Sequence, residues 1–279
     1  MAEADITGDL CRALEGGRAV LFTGAGFSVD AHDREGKPIP SGPELADELW
    51  QLCFPEEACR DGSALQDLFQ HALTESPAEL EALLRKRLTV DAARLPAFYR
   101  VWFALPWRRI YTLNVDDLAS AAEARFDLPR RLLIRAALAD DPPPDEVPEG
   151  ARLEVVHLNG HVKNGARGVT FSTTQYGARL ATEKDPHYAT LVRDFCALPF
   201  VFVGTRLDES PLWQELERTF GTGGEEPRIE RPRSLLVAPQ IERARQSLLE
   251  RIGVSWVPRS TREFTDEVLL PIARTLGVA

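Results

Sequence analysis

Two glycines close an apolar run in the segment Ala19-Val-Leu-Phe-Thr-Gly-Ala-Gly-Phe-Ser28. A buried strand that ends in such a turn can bring backbone N–H groups close to a ligand, because glycine has no Cβ to hold it off. Amides gathered this way, beside a helix N-terminus, suit an anion and above all a phosphate. The segment is not a complete G-x-G-x-x-G, since position 29 is Val, and no G-x-x-x-x-G-K-[ST] follows it. Taken alone it reads equally well as an ordinary strand-to-loop turn.

Three further groups of polar residues follow apolar, strand-like runs: Thr112-Leu-Asn-Val-Asp116, His157-Leu-Asn-Gly-His161 and Gly204-Thr-Arg-Leu-Asp208. Strand ends are where ligands bind in open α/β sheets. An amide offers both a donor and an acceptor, so Asn114 has the chemistry to orient a water molecule, and an amide at the end of an apolar strand needs a partner. Asp116 either serves a ligand or caps the helix expected after it. Asp117 reads as a solvated acid in that helix's first turn.

The elements that must position these residues alternate. Helical patterning over residues 5–16, 41–53, 63–87, 97–104, 116 onward, 185–197, 209–219, 240–251 and 261–275 is interleaved with strand-like runs. Those runs lie near residues 18–23, 107–115, 153–158, 168–172, 198–203, 233–238 and 254–257. Ser41-Gly-Pro-Glu44 has the form of a capping box. The polar stretch 29–41, the acidic proline-rich stretch 140–150 and the glycine-rich stretch 221–227 read as loops. Strands alternating with helices predict an α/β, Rossmann-like fold: one mostly parallel sheet with helices on both faces. The 279 residues read as a single domain, with a helical insert over about residues 45–100.

Composition excludes several classes. The net charge of −10 argues against a broad nucleic-acid or anionic-membrane surface. No apolar stretch approaches the length of a membrane span, and the N-terminus MAEADITGDL lacks the pattern of a signal peptide. Cys11, Cys53, Cys59 and Cys196 form no C-x-x-C pair, so a zinc ribbon is not expected, and scattered cysteines fit a reducing cytoplasm.

In their order and separations the four motifs resemble the Sir2, or sirtuin-like, family of NAD-consuming proteins. The resemblance spans nearly the whole chain, including Ser234-Leu-Leu-Val-Ala-Pro239 and Gly253-Val-Ser-Trp-Val-Pro-Arg-Ser260. Within that family the chain looks like the Sir2-like effector domains of bacterial anti-phage systems, which hydrolyse NAD when infection is sensed. The resemblance implies that Gly24, Ala25 and Gly26 hold the pyrophosphate through backbone N–H groups, with Ser28 near phosphate or ribose. It implies that Asn114 positions the nicotinamide ribose and the attacking water, that Asp116 helps to hold the nicotinamide end, and that Gly204 and Thr205 contact the adenosine-side ribose and phosphate. Arg206 and Asp208 share that last loop without an assigned role. No metal is implied. The implied partner is a second copy, or a sensor domain or subunit that activates the effector, with no direct contact to nucleic acid.

The chain departs from the family in one catalytic position. Sirtuins place a histidine directly before the glycine of the third motif, as a base on a ribose hydroxyl, and here that residue is Asn159. If residues 157–161 are extended, His157, Asn159 and His161 point to one face, so a neighbouring imidazole could stand in. His161, at the mouth of the expected site, is the favoured substitute, with Asn159 as a hydrogen-bonding neighbour, and His157 reads as a core histidine. His32 and His187 read as surface residues and His71 as a helical residue without a partner. The expected activity is therefore NAD glycohydrolysis, giving nicotinamide and ADP-ribose. A catalytically silent NAD- or ADP-ribose-binding module is the alternative, and a deacylase, which would lack its usual zinc ribbon, is the third.

Overall fold

The computed structural model describes residues 3–137, 142, 150–181, 185–207, 212–213 and 231–279. Seven strands form one sheet: β1 (Val20–Thr23), β2 (Arg109–Thr112), β3 (Arg131–Ala136), β4 (Arg152–His157), β5 (Phe200–Val203), β6 (Ser234–Val237) and β7 (Val254–Val257). Their order is β3-β4-β2-β1-β5-β6-β7, and every neighbouring pair is parallel. Parallel strands covered on both faces read as continuous apolar runs, which is why Val20-Leu-Phe-Thr23 and Phe200-Val-Phe-Val203 are buried at every position. Alternate side chains divide the interior in two. Leu21, Ile110, Val155 and Val201 pack on one face, while Val20, Phe22, Tyr111 and Phe202 pack on the other.

The first face is covered by α1 (Glu3–Glu15), α2 (Gly42–Cys53), α3 (Leu65–Glu75), α4 (Pro77–Leu88), α5 (Tyr99–Ala104) and α6 (Leu118–Arg125). Next in the chain come α7 (Thr173–Ala181) and then α8 (Pro186–Ala197), and α8 and α9 (Arg243–Arg251) cover the second face. At the C-terminus α10 (Thr261–Phe264) runs through a π-helical turn, Thr265–Leu269, into α11 (Leu270–Thr275), which returns to the first face. Thr265 accepts a 2.7 Å hydrogen bond from the Trp102 indole inside that wider turn.

Local sequence explains most of these boundaries. The Ser41 backbone N–H donates to Glu44 at 2.8 Å, completing the capping box that starts α2. The helical pattern over 63–87 is two helices, because Pro77 cannot continue α3 and instead begins α4. Helices α2 to α5 lie between β1 and β2. Leu45, Trp50, Phe69 and Leu84 share one apolar cluster with the sheet, so the insert has no separate core.

Four expectations differ from the structure. β3 occupies 131–136, where no strand was expected; it lies at the sheet edge and its burial is mixed along its length. Residues 168–172 hold no strand, only a single bridge from Val169 to Gly160 after a short 3-10 turn. His187 is buried on α8 rather than lying at the surface, and His71 stacks on Phe54 with ring centroids 5.2 Å apart. The expected loops at 140–150 and 221–227 and the helix at 209–219 fall wholly or almost wholly outside the described residues.

Candidate functional site

The chain leaves β1 toward β2 on one side and later returns to β5 on the other, so the loops after β1 and β5 diverge. In open α/β sheets such a reversal of strand order opens a crevice at the strand C-termini. A cleft of about 1180 Å³ lies there. It is lined by Gly24, Ala25, Gly26, Asn114, Asp116, Asn159, Gly204 and Thr205, eight of the residues singled out from sequence. Ser28 lies immediately behind it, 1% exposed. His157 and His161 do not line it.

The glycine types are set by contact between two backbones. The Gly26 N–H donates to the Gly204 carbonyl at 2.9 Å. A Cβ on Gly24 would stand 2.6 Å from that same oxygen. Gly204 has φ +66° and a Cβ there would meet the Phe27 nitrogen at 2.1 Å. These contacts change the expected phosphate seat. The Gly24 N–H is bonded to Val203 O at 3.0 Å and the Gly26 N–H to Gly204 O, so two of the three expected amides are already engaged. Ala25 supplies an N–H with no acceptor among the described residues, and so do Thr261 and Arg262 on the cleft wall at the start of α10.

Ser28, Asn114 and Asp116 form one hydrogen-bonded unit. The Asn114 amide nitrogen donates to the Ser28 hydroxyl at 2.8 Å. The Ser28 and Asn114 side chains both stabilise the Asp116 carboxylate, and the backbone N–H of Leu118 donates to Asp116 Oδ1 at 3.1 Å. An ionised carboxylate only accepts, so Ser28 donates to Asp116 and accepts from Asn114. That direction fixes the Asn114 amide, whose oxygen Oδ1 has no partner among the described residues and lies in a cleft-lining side chain. Burial pushes the Asp116 carboxyl up to about 6, against the lowering effect of Ser28 and the Leu118 N–H. Asp116 thus both caps α6 and stands at the cleft.

The loop after β4 holds the histidines behind this wall. Gly160 has φ +84°, and a Cβ there would overlap the Gly168 carbonyl at 1.9 Å, so only glycine fits. Asn159 reaches the cleft; its Nδ2 donates to Leu113 O at 3.2 Å and its Oδ1 has no partner among the described residues. His157 Nδ1 lies 2.8 Å from the Asn114 carbonyl, and His161 Nδ1 accepts the Lys163 N–H at 3.1 Å, capping a 3-10 turn. Burial lowers both imidazoles, to about 3 for His157 and about 4 for His161, so both rings are neutral at pH 7.

Several residues of the site gave no signal in the sequence. Asp117 is buried, not solvated: its carboxylate accepts the Val90 N–H at 2.7 Å, and burial raises its pKa. Val90 bridges in turn to Asp33 on the loop after β1. Asp33 is fully buried and paired with Arg87, which also holds Glu48 at 2.8 Å and the Pro38 carbonyl at 3.1 Å. These bonds pin the loop that carries Val29, Asp30, Ile39 and Pro40 onto the cleft wall. Arg206 pairs with Glu242 at the rim, and Leu207 is held at φ +54°, a strained value for leucine. Asp208 lies outside the described residues. Beneath the second face, buried Arg109 binds Glu154 at 2.8 Å and also Asp194, tying β2 to β4 and α8.

Among the described residues no cluster of three or more His, Cys, Asp or Glu side chains is placed to hold a metal ion, and no helix is long and apolar enough to cross a membrane. The chain matches no protein-family model, and no curated protein matches it.

Proposed function

We propose that the chain is a Sir2-like NAD⁺ glycohydrolase that releases nicotinamide and ADP-ribose, and that it serves as an effector in bacterial anti-phage immunity. The observation that carries the reading is Asn114, a cleft-lining residue at the reversal of strand order whose amide nitrogen is held by Ser28 and whose buried oxygen has no partner among the described residues. A volume of about 1180 Å³ suits an extended dinucleotide, since drug-sized ligands occupy roughly 300–1,000 Å³. Ala25 and the start of α10 offer unbonded amides for the phosphates, and the Gly204 loop lies beside them.

The chemistry asks little of an acid or base. Nicotinamide in NAD⁺ is a cationic leaving group, so the glycosidic C–N bond breaks with its electron pair going to nicotinamide. The sugar passes through an oxocarbenium-like state. Water adds to that carbon and releases one proton, giving ADP-ribose. Asn114 Oδ1 accepts from the water and aims it, while the Asp116 carboxylate, ionised above about pH 6, favours the developing positive charge. Asn159 lines the same wall. His161, favoured from the sequence as the ribose base, is held away from the cleft with Nδ1 committed to Lys163. That absence of an imidazole on the cleft wall favours the second reading, an NAD- or ADP-ribose-binding module without turnover. Activation by self-association, or by a sensor domain or subunit, is part of the proposal and rests on the resemblance.

The test is nicotinamide release from NAD⁺ by the purified chain. The proposal expects turnover in the wild type and a loss of at least a hundredfold in Asn114→Ala. NAD⁺ binding with no release at any protein concentration would establish the binding module instead.

A further inference from the structure

The two histidines behind the cleft carry their protons on different ring nitrogens. Both are almost fully buried, at 2% and 3% exposure, and their rings meet edge-on with centroids 4.5 Å apart and planes at 72°. A backbone carbonyl only accepts, so the 2.8 Å contact with Asn114 O places a proton on His157 Nδ1 and leaves Nε2 bare. A backbone N–H only donates, so the Lys163 contact leaves His161 Nδ1 bare and, in the neutral ring, puts the proton on Nε2. Neither Nε2 has a partner among the described residues. One ring thus presents an acceptor at Nε2 and the other a donor.

We infer that His157 and His161 are a tautomer-locked neutral pair that positions Asn114 from behind, rather than a base acting on the sugar. His157 holds the Asn114 carbonyl while Ser28 holds its side chain, so the residue is fixed at both ends. The Asn114 carbonyl sets the tautomer of His157, the Lys163 N–H sets that of His161, and the two rings pack edge to face. His157 is a positioning residue. The catalytic consequence rests on the glycohydrolase reading; the tautomers do not.

The test has two parts on the full chain. In ¹⁵N-labelled protein at pH 7, long-range imidazole correlations should show His157 protonated on Nδ1 and His161 on Nε2; His157 protonated on Nε2, or either ring doubly protonated, would overturn the inference. Then His157→Asn, whose amide nitrogen replaces the Nδ1 donor, is compared with His157→Gln, whose amide nitrogen falls nearer Nε2. The Asn114 side-chain amide signal should stay at its wild-type position in His157→Asn and move in His157→Gln. His157→Asn should keep kcat within about threefold of wild type, and His157→Gln should lose at least tenfold in kcat with KM little changed. Equal effects of the two substitutions would reject the positioning role. A wild type that releases no nicotinamide would reject the glycohydrolase, while the tautomers and the Asn114 signal would still decide the pair.

Discussion

Asp116 is only 5% exposed, with its carboxyl pushed up to about 6, first by burial and further by the neighbouring Asp117. The unfolded chain titrates this group near 4, so the native state holds the proton more tightly. The ionised side chain therefore subtracts stability: the penalty is absent below about pH 4, grows as pH rises and is complete above about pH 6. Asp116→Asn keeps an acceptor for Ser28 and Leu118 but removes the charge. It should stabilise the fold by on the order of 1–3 kcal/mol at pH 8 and by little at pH 4, while nicotinamide release falls at least a hundredfold. Denaturant titrations at the two pH values, paired with turnover, check this; a destabilised variant at pH 8 would mean that the carboxylate is structural. At this scale the sequence exposed Asn114, because an amide beside an apolar strand demands a partner. It hid Asp117, whose partner Val90 is 27 residues away, and it misplaced His161, whose contact with Lys163 is local but turns the ring away from the cleft.

Strand ends and the loops beyond them are the elements that matter most. The β1 and β5 loops meet backbone to backbone at Gly24, Gly26 and Gly204, and their spacing depends on missing Cβ atoms. Gly204→Ala would force a side chain into φ +66° and against the Phe27 nitrogen. It should cost about 2 kcal/mol or more in stability and weaken NAD⁺ binding at least tenfold, read by thermal melting and calorimetry. Unchanged affinity would remove this turn from the ligand site. Elements with a strong local signal were legible: β1 and β5 as apolar runs, α2 from its capping box, and the final helix from its periodicity. β3 was not, because Arg131 begins it and partly exposed positions interrupt its pattern. The apolar residues near 168–172 imitated a strand, but they line a turn that packs against Gly160.

Over the whole molecule the parallel sheet and its two covered faces followed from alternation alone, whereas the ties across it did not. Arg109 beneath α8, and Arg87 on α4 reaching α2 and the loop after β1, join residues 39 to 85 positions apart, and no local pattern announces them. Global stability should also carry the signature of the buried histidines. Their pKa values, about 3 and about 4, lie below the unfolded value of 6.5, so unfolding takes up protons and stability is lost as pH falls below 6.5. Near pH 5 the two histidines are opposed by the raised Asp116 and Asp117, and His161→Asn should remove about half of the histidine share, roughly 1.4 kcal/mol per pH unit. A pH profile between 6.5 and 4.5 that is unchanged by His161→Asn would contradict the burial of that pair. The central claim concerns the cleft, and the most direct measurement is nicotinamide release from NAD⁺, followed across protein concentrations for the wild type and Asn114→Ala, with NAD⁺ affinity measured for both. The account predicts turnover by the wild type and at least a hundredfold less by the variant at nearly equal affinity; release that survives in Asn114→Ala, or a wild type that binds no NAD⁺, would contradict it.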